Sequence, residues 1–382
     1  MQTRSSKARK YLESVKPAFI DNGVPVFKPT IEQFLDFYAF NKAINEYGLQ
    51  SGIVRVIPPA EWLDSVAKCY TVDNLSQVCI KNPIVQTINH DGHGVFQLQN
   101  VERARKYNLE QWRELSRSYE PPRKKRRQSV EQEKENLKDS KEGNESKADL
   151  KKYFIDTSIY TDERCQELER AYWKGLTYAE PIYGADTLGS LFVDDIKSWN
   201  VAKLPNILDL MEEEIPGVNN AYLYAGTWKA TFAWHLEDQD LYLINYLHFG
   251  APKQWYLIPQ AQHEKFFNVM KDLFGDEYKN CSQFLRHKTF LALPQFLEKK
   301  GITVNKTIHR EGEFIITYPY GYHAGFNYDY NLAESVNFAL ELWFEYAKST
   351  ESCQCISDAV NLNVERLWKK YKEVGDLKFM NA

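Results

Sequence analysis

Residues 222–259 read YLYAGTWKATFAWHLEDQDLYLINYLHFGAPKQWYLIP, and this stretch decides the fold. Aromatic and β-branched residues alternate in short runs, broken at Asp238-Gln239-Asp240 and at Gly250-Ala251-Pro252. Alternation at period two between turn residues is the pattern of strands, whose successive side chains leave opposite faces of a sheet. Leu241 to Phe249 and Lys253 to Ile258 read as a hairpin turning at Gly250-Ala251-Pro252, with Asn245, Lys253 and Trp255 on one face. Strands resume at 313–318 and 333–340, after a helical interlude around 263–274. Many short strands punctuated by turns predict a mainly β chain with flanking helices (α+β), its core a closed or double-sheet jelly roll.

Upstream of this core, residues 162–173 and part of 199–214 carry helical patterns. Near the N-terminus, residues 24–27 and 53–57 read as strands, and between them Phe34, Phe37, Phe40 and Ile44 recur at helical spacing over 31–47. Thr30 with Gln33 three residues on is a capping-box signal. This β-α-β piece is too small to stand alone. Between the two lobes, Pro121-Pro122 precedes five basic residues, Arg123 to Arg127, and then a polar stretch to Lys152 with almost no large apolar side chain. Such a composition cannot offset its ordering entropy, which predicts a disordered linker. The basic cluster reads either as a solvated flank or as an import or nucleic-acid-contacting patch. Arg4, Lys7, Arg9 and Lys10 make a basic N-terminal arm.

Across 382 residues, 48 basic and 52 acidic side chains leave a net charge of −4. Hydrophobics at 43% and aromatics at 14% suffice for a large core and exclude a wholly disordered chain. The length allows about two to three domains. No run approaches the ~18 apolar residues of a membrane helix. The start has basic residues without an apolar core behind them, which speaks against a secretory signal. Six cysteines are too few for a disulfide scaffold, so a reducing compartment is expected.

The chemistry concentrates at His235-Leu236-Glu237. On a strand, His235 and Glu237 share a face and can hold one ion between them; His323, much later, can complete a facial triad. Two histidines and a carboxylate suit non-haem Fe(II), leaving three positions open. The spacing alone also fits a chance His-x-Glu and a buried core histidine. Lys253 on an inner wall would be costly without an anion, whereas an exposed lysine after a turn is the commoner fate. Cys353-x-Cys355, with a further Cys and a His nearby, is a metal pattern before it is a disulfide pattern.

Longer motifs carry a resemblance. The run from Trp228 through His235, Glu237 and Asp240 to Tyr242 is similar to the JmjC domain, as are Asn245 to Lys253, Phe284 to Lys288 and Pro319 to Asn327. Gly23 to Thr30 and Pro58 to Trp62 resemble the JmjN segment. Together they resemble the JmjN–JmjC histone lysine demethylases of the trimethyl-lysine branch. That resemblance implies a double-stranded β-helix (jelly-roll, cupin-like) core with JmjN packed on it. It divides the chain into a basic arm (1–22), JmjN (23–65), a connecting α/β segment (66–120), the linker (121–152), a lead-in (153–190), JmjC with a zinc site (191–355) and a C-terminal helix (356–382).

The resemblance also implies roles. His235, Glu237 and His323 would ligate Fe(II). Tyr183, Asn245 and Lys253 would hold 2-oxoglutarate, walled by Trp255 and Phe232, with O2 as second co-substrate. Gly217, Tyr224, Glu237, Ser335 and Asn337 would surround the methylated ammonium, and Asp186 would receive the basic tail. Cys281, His287, Cys353 and Cys355 would bind structural Zn(II). The implied partner is the methylated histone H3 tail on a nucleosome, lysine 36 before lysine 9, with non-specific DNA contact through Arg123–Arg127. The implied protein is a nuclear monomer with no membrane association. Two other classes share the scaffold: a non-catalytic chromatin-binding regulator, and a hydroxylase of another protein side chain. The first should lack a triad residue or Lys253, and neither is missing; the second should lack the JmjN segment, Ser335 and Asn337. Departures from the family pattern are a longer linker and a shorter segment from Glu212 to Asn220, with Pro216 where an acid is expected.

Overall fold

From Tyr222 onward, successive strands alternate between two sheets in a computed structural model that describes residues 14–122, 149–353, 355 and 359–380. The larger sheet takes Tyr222–Gly226, Tyr242–Gly250, Phe314–Thr317 and Asn331–Phe338; the smaller takes Thr231–His235, Lys253–Leu257, Asn305–His309 and His323–Asn327. This is the double-stranded β-helix expected of the core. Arg4, Lys7, Arg9 and Lys10 of the N-terminal arm and the Arg123–Arg127 cluster lie outside the described residues, while the end of the stretch assigned to the arm is a strand, Phe19–Asp21, paired with Val24–Phe27 at the edge of the larger sheet.

The expected hairpin at Gly250-Ala251-Pro252 does not form. Tyr242–Gly250 pairs with Phe314–Thr317 and Asn331–Phe338, whereas Lys253–Leu257 pairs with Asn305–His309 and His323–Asn327 in the other sheet. The chain turns a corner between the sheets. Gly250 sits at φ +97°, where a Cβ would lie 2.4 Å from the Tyr330 carbonyl oxygen. Ala251 donates its N–H to that same carbonyl at 2.8 Å, and Pro252 has no N–H to offer a ladder. Because the strands separate, Asn245 reaches the interior from one wall and Lys253 and Trp255 from the opposite one.

The N-terminal β-α-β piece extends the larger sheet: Val24–Phe27 runs parallel to Ile53–Val56, which pairs antiparallel with Phe314–Thr317. The helix expected over 31–47 is two helices, Ile31–Phe34 and Phe37–Ser51. Thr30 and Gln33 close the capping box on the first, and Asp36 accepts the Ala39 N–H at 2.9 Å to start the second. The break lets Phe34 stack on Trp199 with centroids 4.3 Å apart while Phe37 and Phe40 meet the same indole edge-on. Phe34, Phe37, Phe40 and Ile44 are all buried, each contributing about 1.5–3 kcal/mol to docking this lobe on the core.

At the other edge, Ile182–Leu188, Ile84–His90, Val95–Glu102 and Phe290–Ala292 follow Tyr222–Gly226. Cys79–Lys81 and Lys106–Asn108 form a separate ribbon. Helices at Asp162–Lys174 and His263–Leu273 match the sequence pattern; 199–214 holds only the short turns Val201–Lys203 and Ile207–Leu210. The chain is already packed at 149–152, inside the stretch assigned to the linker: Arg113 donates to the Lys151 carbonyl and Lys152 pairs with Glu110, both at 2.6 Å. The C-terminal helix, Val364–Val374, buries Leu367 and Tyr371 in the same core as the N-terminal lobe.

Candidate active site and metal centres

His235 ends one strand and His323 begins its neighbour, directly opposite in register with ring centroids 4.2 Å apart. His235 Nδ1 lies 2.7 Å from the Ala233 carbonyl, and His323 Nδ1 lies 3.0 Å from that of Gly321. A carbonyl only accepts, so both Nδ1 atoms carry the proton and both Nε2 atoms are bare. Those Nε2 atoms face Glu237 Oε1 at 3.4 Å and 3.1 Å. Burial lowers the His235 pKa to about 3 and keeps the imidazole neutral. Burial opposes ionisation of Glu237, but positive charge or a donated hydrogen at the facing His235 and His323 nitrogens, with the Lys288 ammonium, outweighs it and holds the carboxyl well below its usual range. Two bare nitrogens and a carboxylate at these separations repel one another unless a cation lies between them. The donor set fits a divalent metal held on one face.

The support for Glu237 comes from distant parts of the chain. Asn337 donates its amide to Glu237 Oε2 at 3.0 Å and to the Tyr242 carbonyl at 3.1 Å. Arg286 donates to the Glu237 carbonyl at 2.6 Å and pairs with Asp240 at 2.8 Å, both side chains nearly buried. Sequence reasoning did not assign Arg286 or Asp240 a role, since an ion pair across such a separation has no period to betray it.

Beside this cluster opens a cavity of about 250 Å³. Tyr183, Asn245, Lys253, Trp255 and Phe232 all line it. Lys253 is 1% exposed and has no carboxylate partner among the described residues; burial lowers its pKa to about 7. Its ammonium lies 5.8 Å from the Tyr224 ring, and Phe232 leans on Trp255 at 4.7 Å. Asn245 Oδ1 and Trp255 Nε1 are buried without a hydrogen-bond partner. A buried lysine with unsatisfied polar atoms around it fits an anionic guest that brings oxygen atoms of its own.

Gly217, Tyr224, Ser335, Asn337 and Asp186 line the same cavity. Tyr224 donates its hydroxyl to Asp186 at 3.0 Å, and Ser335 donates to the Ile244 carbonyl at 2.9 Å. Asn337, expected among the methyl groups, has its amide nitrogen committed to Glu237 and Tyr242. Gln86 and Lys288 line the same space and were not singled out by the sequence reading. Gln86 brackets the Thr231 backbone with both amide atoms, fixing the strand that delivers His235.

The second cluster joins Cys281, His287, Cys353 and Cys355, whose ligand atoms all lie within 4.8 Å of one another. Sulfur–sulfur separations of 3.6 Å (Cys281–Cys353) and 3.0 Å (Cys353–Cys355) are too long for a disulfide, and His287 Nε2 lies 3.2 Å and 3.1 Å from Cys353 and Cys355. Three thiols and an imidazole fit a closed tetrahedral zinc site.

Among known proteins, residues 222–338 match the family described as JmjC domain, hydroxylase, and residues 25–58 match the jmjN domain. The chain is 38% identical over 347 residues to lysine-specific demethylase 4B of Mus musculus, covering 90% of this chain and 28% of that protein. It is 35% identical over 380 residues to probable lysine-specific demethylase 4F of Homo sapiens, covering 95% and 53%. Lysine-specific demethylase 4D of Rattus norvegicus is 38% identical over 347 residues, covering 90% and 60%. The chain thus spans between 28% and 60% of the length of these relatives.

Proposed function

The chain is a member of the JmjN–JmjC proteins, and on that premise we propose that it is a histone lysine demethylase dependent on Fe(II) and 2-oxoglutarate, acting on tri- and dimethylated lysine of the H3 tail. The observation that carries this reading is the convergence of His235, Glu237 and His323 beside a buried lysine without an anion. In it, His235, Glu237 and His323 hold Fe(II), and Lys253, Asn245 and Tyr183 hold the far carboxylate of 2-oxoglutarate. Bound there with 2-oxoglutarate and O2, Fe(II) supplies the oxidation that hydroxylates an N-methyl carbon, whose product releases formaldehyde.

The protein's own contribution is geometry. Asn337 and Arg286 fix Glu237, and Phe232 and Trp255 exclude water around the co-substrate. Tyr224, Ser335 and Gly217 bound the space into which an N-methyl group is turned, and weak C–H···O contacts orient it. Oxidation at carbon needs no nitrogen lone pair, so a quaternary trimethylammonium is admitted, while a monomethyl group can rotate its single carbon away. Lysine 36 is the first target and lysine 9 the second. The structural zinc is held by Cys281, His287, Cys353 and Cys355, and the substrate places the protein on chromatin in the nucleus.

The test is mass spectrometry of methylated H3 peptides incubated with Fe(II), 2-oxoglutarate and ascorbate. Loss of methyl groups with formaldehyde release is expected, absent in His235→Ala. Faster turnover of monomethyl than trimethyl peptide, or 2-oxoglutarate consumption without formaldehyde, would overturn the assignment.

A further inference from the structure

Four cations crowd one corner of the fold. Lys81, Arg103, Arg105 and Lys106 are all exposed, and none makes an ion pair among the described residues. The ribbon of Cys79–Lys81 and Lys106–Asn108 sets Lys81 directly opposite Lys106, an arrangement that destabilises a strand pair unless an anion neutralises it. The corner is built rather than loose. Asn82 donates its N–H to the Arg105 carbonyl at 3.0 Å, Arg103 donates its N–H to that of Pro83 at 2.9 Å, and the Arg105 guanidinium lies over Tyr107 at 5.0 Å.

This corner flanks the candidate active site. Ile84 lines the cavity and pairs with Glu102 on one side and Tyr183 on the other. At ~3.3 Å per residue, Lys81 stands within about 10 Å of that wall. The cavity itself is lined by Glu237, Asp238 and Asp186 together with Lys253 and Lys288, whereas the corner beside it carries four cations and one exposed acid, Glu102.

We propose that Lys81, Arg103, Arg105 and Lys106 form a docking surface for the phosphate backbone of duplex DNA beside the site that takes the histone tail. The proposal rests on the nucleosomal reading above. A histone tail leaves its particle next to DNA, so a pocket that accepts the tail brings its flank against phosphates. Asp186 can receive the basic tail while the basic flank attracts the DNA, and the two attractions orient the enzyme together.

The test compares the native chain with the variant K81Q/R103Q/R105Q/K106Q, whose side chains stay polar and lose charge. Binding of a duplex of about 30 base pairs is followed by fluorescence anisotropy across a salt series. The slope of log K against log salt should shrink by about 3.6, since each of the four phosphates neutralised by a cation accounts for roughly 0.9 of it. On nucleosomes, kcat/KM should fall about tenfold or more, while on an H3 peptide it stays within about twofold. The variant R103K/R105K should bind DNA nearly as the native chain does. An unchanged salt slope, an equal loss on peptide and nucleosome, or tighter binding of single-stranded RNA than of duplex DNA would each overturn the proposal. If the native chain fails to demethylate any peptide, the functional reading fails, and the duplex titration still judges this corner by itself.

Discussion

Asn337 gives its side-chain amide to Glu237 Oε2 at 3.0 Å, and its backbone N–H donates to the Val218 carbonyl of the segment that carries Gly217, also at 3.0 Å. One residue therefore sets the carboxylate of the candidate metal site and anchors the rim of the pocket next to it. Asn337→Ala should weaken Fe(II) affinity about 10–100-fold, the usual effect of losing a group that orients a metal ligand. Fe(II) titration of turnover measures it. Unchanged iron dependence would show that Glu237 is held without Asn337.

Lys253 should dominate co-substrate binding. Lys253→Met removes the charge partner of a desolvated carboxylate, at a cost of about 3–5 kcal/mol, so KM for 2-oxoglutarate should rise about 100-fold or more. An unchanged KM would show that the lysine meets no anion.

The pH dependence follows from the same residue. Burial lowers the pKa of Lys253 to about 7, below its ordinary lysine range, so the free site loses its proton as pH rises through that value. Binding a carboxylate requires the ammonium and so takes up a proton above about pH 7. Affinity for 2-oxoglutarate should weaken by up to about tenfold per pH unit there and be insensitive to this group below. Calorimetry in buffers of different ionisation enthalpy reads the proton uptake; none at pH 8 would contradict it.

Cys353→Ser should release one zinc ion and lower Tm, because a closed four-ligand site contributes folding free energy directly. The loss should spread. His287 adjoins Arg286, which holds the Glu237 carbonyl at 2.6 Å, so iron affinity should fall with zinc content. Metal analysis finding no zinc in fully active protein would refute both parts.

Gly217→Ala should act on the peptide alone. Gly217 has φ +78°, and a Cβ there would lie 2.4 Å from the Tyr222 ring. The left-handed backbone costs about 1–2 kcal/mol for an L side chain. Peptide KM should rise and KM for 2-oxoglutarate should hold; the reverse would place this turn away from the peptide.

By itself the sequence determined the strand-rich class, the β-α-β lobe and the identity of the chemical groups. Period-two alternation over 222–259 and the capping pair Thr30–Gln33 are local signals, set by backbone geometry within a few residues. His235 and Glu237 were legible because an extended backbone puts them on one face, and Cys353 and Cys355 because thiols two apart are a ligand pattern. Gly250-Ala251-Pro252 was misread, since a hairpin and a corner between sheets use the same turn residues. Only the partners of the flanking strands decide between them, and those lie far away in the chain. The tertiary structure alone decided that Lys253 is buried and that Asn337 and Arg286 hold Glu237, and it brings Cys281 and His287, grouped with Cys353 and Cys355 in the sequence only by family resemblance, within reach of them. Each of these is a meeting across many residues, where register and burial, rather than local propensity, determine which side chains come together.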